Sequence, residues 1–137
     1  MTATLTERRA ADRARMAAEL TALAARYGAT AATRDGLRDP GRELRIEIEH
    51  PSFLCVSVDL QGCTCQAVPD TYVIPWHMRG GPPGRRLAPS FGAVNPYHGR
   101  KATHVVYGWE ALRAEIERGL SAAADGSAFV AYEGAES

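Results

Sequence analysis

Three short runs in which apolar and polar residues alternate constrain this chain more than any other feature. In 43–50, Leu44, Ile46 and Ile48 alternate with Arg45, Glu47 and Glu49, the period of a strand with one wet face. Residues 53–60 place Leu54, Val56, Val58 and Leu60 on one side and Phe53, Cys55, Ser57 and Asp59 on the other. In 71–78, Tyr72, Ile74, Trp76 and Met78 share a parity, but Pro75 falls among them. Proline has no amide proton to give a ladder, so this run is predicted to be an edge strand. Pro51, Gln61-Gly62 and Pro69-Asp70 separate the runs as turn signals. Gln61-Gly62 also predicts a return segment over 63–68. Residues 29–34 and 128–132 have room for two further short strands.

Two helices flank these strands. Over 4–27, Thr4 and Glu7 fit a capping box, and Met16, Leu20, Leu23 and Tyr27 recur at helical spacing before Gly28. Over 109–124, Trp109, Leu112, Ile116, Leu120 and Ala123 form one stripe, with Glu110 in the first turn and Asp125-Gly126 at the end. An N-terminal and a C-terminal helix on one face of a small antiparallel sheet of three to five strands would bury every stripe, so the expected class is α+β. The expected organisation is a single domain over 1–137, frayed in its first few residues and over 133–137. Before the second helix, 79–100 is rich in glycine and proline and reads as a long irregular loop. Phe91, Val94 and Tyr97 are expected to anchor its second half, leaving the Gly/Pro-rich first half as a mobile tip.

Formal charge sums to zero, but its distribution is uneven. Residues 71–109 carry four Arg and Lys101 and no acid, giving +5, whereas 110–137 carry −4. Such a local field steers partners, unless the basic loop pairs with the protein's own acidic C-terminal part. The Arg8, Arg9, Arg13 and Arg15 cluster is interleaved with Glu7, Asp12 and Glu19 and reads as a solvated helix face. No apolar run reaches the roughly 18 residues of a membrane helix, and the first helix lacks the apolar core of a signal peptide. The expectation is a cytoplasmic protein that does not enter membranes. An odd number of cysteines (Cys55, Cys63 and Cys65) argues against a disulfide framework.

The residue types for metal or nucleophilic chemistry exist, in His50, Cys55, Cys63, Cys65, His77, His98 and His104. Their spacing does not fit it. No C-x2-C pair occurs, no nucleophile elbow surrounds a cysteine, and Gly80-Gly81-Pro82-Pro83-Gly84 lacks the Lys-Ser/Thr ending of a phosphate loop. No enzyme, metal or cofactor is therefore expected. The connection 79–101 mixes arginine with aromatics, the residue types of interface hot spots. Arg79, Arg85, Arg86, Tyr97, His98, Arg100 and Lys101 are the expected binding residues. The expected partner is an acidic or nucleic-acid-binding protein surface. The alternative is nucleic acid itself, held by phosphate neutralisation and base stacking.

Two resemblances bear on these readings. The order helix, three strands, helix resembles the double-stranded RNA-binding domain, and Arg100-Lys101-Ala102 partly matches that family's basic box, although the long loop departs from it. Asn95-Pro96-Tyr97-His98-Gly99-Arg100-Lys101-Ala102-Thr103, followed by Tyr107-Gly108-Trp109-Glu110-Ala111-Leu112 and Asp125-Gly126-Ser127-Ala128-Phe129, resembles small uncharacterised prophage proteins of proteobacteria. That likeness covers the C-terminal third. It implies a phage accessory protein, and so an inhibitor of host defence such as an anti-CRISPR protein that blocks a host protein surface.

Overall fold

The computed structural model describes residues 4–35, 43–61, 70–81, 83–94 and 100–131. Helix α1 spans Leu5–Arg26, and the Thr4 hydroxyl accepts the Glu7 amide proton at 3.1 Å, as the capping pattern predicts. Met16, Leu20 and Leu23 are buried with Ala17 and Ala24, whose small side chains let the helix lie close on the sheet. Gly28 takes φ of +76° and ends the helix. On the outer face Arg15 pairs with Glu19 at 2.7 Å and approaches Asp12 at 3.9 Å.

Strands β1 (Thr30–Asp35), β2 (Leu44–His50), β3 (Leu54–Leu60) and β4 (Thr71–Met78) follow, then β5 (Arg85–Leu87), β6 (Ala93–Val94), β7 (Lys101–Tyr107) and, after helix α2 (Trp109–Asp125), β8 (Phe129–Ala131). The main sheet has the order β1-β2-β3-β4-β7-β6, and all its described pairings are antiparallel. Strands β5 and β8 form a separate two-stranded ribbon. Both helices lie on one face, where Ile46, Ile48, Val56, Val58, Tyr72, Ile74 and Trp76 meet Leu112, Ile116, Leu120 and the α1 stripe. The class is α+β. Gly119 is the close-contact point, because a Cβ there would strike the six-membered ring of Trp76. At the rim His50 accepts the Ser52 amide proton on Nδ1 at 3.0 Å. Its Nε2 therefore carries the proton and donates to the Tyr27 carbonyl at 2.9 Å, tying the β2–β3 turn to the end of α1.

Strand β4 is interior, flanked by β3 and β7, and not the edge strand that Pro75 predicts. The ladder between β3 and β4 runs through Leu54↔Met78, Cys55↔His77 and Val56↔Trp76 and stops there. Pro75 is the next residue, so its missing amide proton falls where the two strands part. The return segment predicted over 63–68 lies outside the described residues.

The connection before β7 carries more structure than its composition suggests. Immediately after the Pro83-Gly84 turn, Arg85–Leu87 pairs with β8. Ala88 then donates to the Ala128 carbonyl at 2.8 Å. A 3-10 turn, Pro89–Phe91, drives Phe91 into the core, edge-on to Trp76 with ring centroids 5.1 Å apart. The described first half is thus clasped by the C-terminal strand. Loop and C-terminal part meet through backbone bonds here, while Arg79 pairs with Glu49 of β2. Glu115 of α2 is 5% exposed, with His104 Nδ1 2.6 Å away and the Arg118 guanidinium forked onto its carboxylate. That cluster fastens β7 to α2.

Candidate functional site

With both helices on one side, no described element covers the other face of the sheet. The alternating burial of the strands and their register place Thr30, Ala32 and Arg34 on it from β1, and Arg45, Glu47 and Glu49 from β2. Cys55, Ser57 and Asp59 come from β3, Val73, Pro75 and His77 from β4, and Lys101, Thr103, Val105 and Tyr107 from β7. The face has two characters. On its β1–β3 side, charges cancel in pairs: Arg34 with Glu47 at 2.9 Å, Arg45 forked onto Asp59 at 3.0 and 3.2 Å, and Arg79 with Glu49. The hydrogen bond to Asp59, outweighing partial burial, holds the Arg45 proton more firmly than usual. Exposed pairs of this kind stabilise little, but they leave the area close to neutral.

The β4–β7 side has an apolar centre. Val73 stands directly opposite Val105, and they are 55% and 43% exposed. Tyr107 is 67% exposed at the end of the same strand. Lys101 closes the other end, opposite His77, without an ion pair among the described residues. Between the two sides lies a cavity of about 360 Å³ floored by the strands and lined by Glu47, Glu49, Cys55, Ser57, His77 and Lys101.

Cys55 is the thiol among the residues that line that cavity. Its thiol donates to the His77 carbonyl at 3.4 Å. Burial pushes its pKa above the ordinary 9.0, Glu49 and Glu47 add to the rise, and Arg79 opposes it. A catalytic cysteine needs the opposite shift. Alkylation by iodoacetamide at pH 8, followed by peptide mapping, is expected to be slower at Cys55 than for a small free thiol. Glu49→Gln should speed it by removing one of the charges that oppose the thiolate. A wild-type rate equal to that of the free thiol would contradict the burial.

The structure separates the residues that the sequence singles out. Arg79 and Lys101 reach the open face. Arg85 is exposed on β5, and Arg86 is half-buried with its Nε lacking a hydrogen-bond partner. Arg100 is exposed and donates to the Gly80 carbonyl at 2.7 Å. Tyr97 and His98 lie outside the described residues, as do Cys63 and Cys65. Val73, Val105 and Tyr107 are surface features that sequence reasoning passes over as scaffold. Their parity is visible in the chain, but the uncovered face is known only once the strand order is.

No family model matches this chain, and no curated protein or solved structure matches it either. Among the described residues no cluster of three or more His, Cys, Asp or Glu side chains could hold a metal ion. No described helix is long and apolar enough to cross a membrane.

Proposed function

We propose that the chain is a non-enzymatic binding protein that docks a protein partner on its open sheet face, with Arg79 and Lys101 of the basic connection at the rim. The observation that carries this reading is the exposed Val73–Val105 pair beside Tyr107, on a face no described element covers. An apolar centre rimmed by polar and charged groups is the anatomy of a protein interface. The arginine–carboxylate pairs leave the β1–β3 side close to neutral, without the surplus positive charge that a phosphate backbone needs, so protein is favoured over nucleic acid. The raised pKa of the Cys55 thiol favours contact over covalent catalysis. The prophage resemblance extends the proposal to an accessory protein of a phage or mobile element that blocks a host protein surface, as anti-CRISPR inhibitors do.

The test is partner retention from host extract by the tagged protein. Three variants are compared with wild type: Val73→Asp/Val105→Asp, Arg85→Glu/Arg86→Glu and Arg100→Glu/Lys101→Glu. The valine pair is exposed, so its replacement should cost at most about 1 kcal/mol of stability each. It should lower recovery of any specific partner about tenfold, matching roughly 1.4 kcal/mol of lost contact. The Lys101 variant should slow capture and make it less salt-sensitive. Unchanged recovery with the Val73→Asp/Val105→Asp variant would overturn the proposal.

A further inference from the structure

A second cavity, of about 450 Å³, shares no lining residue with the first. Pro51 and Phe53 of the β2–β3 turn form one wall, Ala123 of α2 and Phe129 of β8 form others, and Arg85 of β5 stands at its edge. Two observations mark it as more than a surface dent. Phe53 has φ of +68°, the one positive value outside glycine among the described residues, and the residue is 49% exposed. A bulky residue in the left-handed region is strained, and such strain persists where its surroundings over-determine it. They do so here: the Phe53 carbonyl accepts the Arg79 amide proton at 2.7 Å, and the Ser52 amide is held by His50. A glycine would serve the turn without strain. The half-exposed residue gains little from the core, so what it provides is an aromatic wall for the cavity.

The second observation is electrostatic. Arg79 is committed to Glu49, and Arg100 to the Gly80 carbonyl. Arg85 is exposed and has no carboxylate partner among the described residues. The cavity is thus lined by two phenylalanines and by a guanidinium that no described carboxylate engages.

We propose that this cavity receives a large apolar side chain carried next to a carboxylate on the protein partner, the apolar group packing between Phe53 and Phe129 and the carboxylate meeting Arg85. The proposal rests on the protein-binding reading and adds a second, chemically selective contact to it. Charge complementarity selects the acidic neighbour, since a fork of guanidinium donors matches a carboxylate.

The test is a titration of the isotopically labelled full chain, followed by amide chemical shifts, with three capped peptides: acetyl-Glu-Phe-Gly-amide, acetyl-Gln-Phe-Gly-amide and acetyl-Glu-Gly-Gly-amide. The first should shift the amides of residues 52, 53, 85, 123, 126 and 129. The glutamine peptide should bind about tenfold more weakly, and the peptide without the ring should not shift them. Arg85→Gln should abolish the difference between the glutamate and glutamine peptides. Phe53→Gly should lose binding while keeping or raising the melting temperature, because glycine relieves the backbone strain. That combination separates a binding role from a structural one. Absence of shifts at these amides, equal binding of the glutamate and glutamine peptides, or undiminished binding by Phe53→Gly would each overturn the proposal. None of them touches the open-face reading, which stands or falls on partner retention by the Val73/Val105 variant.

Discussion

Replacing Phe91 with alanine is expected to cost about 3–5 kcal/mol of unfolding free energy, the range for removing a fully buried aromatic side chain. Phe91 has no exposed surface, sits edge-on to Trp76, and carries the Arg118 guanidinium 4.9 Å from its ring centre. Its loss removes the aromatic pair and the cation–π contact together. Urea unfolding followed by circular dichroism gives the measurement. The result also decides what kind of segment the basic connection is. A loop lying on the surface would tolerate the change at under about 1 kcal/mol, whereas one whose 3-10 turn plugs the core cannot.

Gly119→Ala is expected to destabilise by about 2 kcal/mol, against the usual direction of such a change within a helix. Alanine at an ordinary helical position gains about 1 kcal/mol over glycine. Here the new methyl would overlap the Trp76 ring, and overpacking typically costs about 1–3 kcal/mol, occasionally more. The clash prevails because Trp76 is 1% exposed and braced on its other side by Phe91. Trp76→Phe removes the ring atoms that collide, so in that background Gly119→Ala should become neutral or stabilising. The coupling in the double-mutant cycle should be about 1–3 kcal/mol. Additive single effects would contradict the contact.

The elements were legible where the period was clean. Leu44, Ile46 and Ile48 declare a strand, and the stripe from Trp109 to Ala123 declares a helix, because each pattern is produced by the burial that forms it. Pro75 misled because the penalty for proline depends on which neighbour its nitrogen faces, which is a property of the sheet and not of the strand. The connection after Gly80 looked irregular since Arg85–Leu87 is too short to show a period and its partner, β8, lies more than 40 residues away in the chain. The open face was hidden for a related reason. Val73 and Val105 become one patch only when β4 and β7 are paired. Net charge pointed to Arg79 and Lys101, which reach the face, but it could not reveal that Glu49 neutralises the first of them.

The partners of β4 have a consequence for how the chain acquires its structure. Strand β4 shares three residue pairs with β3, which precedes it, and seven with β7, which follows about 30 residues later. Strands β1 to β3 can close by local hairpins as they emerge from the ribosome, with α1 already made. Strand β4 cannot: its apolar row of Tyr72, Ile74, Trp76 and Met78 waits for β7 and for α2 to cover it. During that interval the chain displays this apolar row without its main hydrogen-bonding neighbour, and non-local pairing of this kind is slow and open to intermolecular capture. Synthesis, more than the finished fold, is where this protein is most exposed to aggregation.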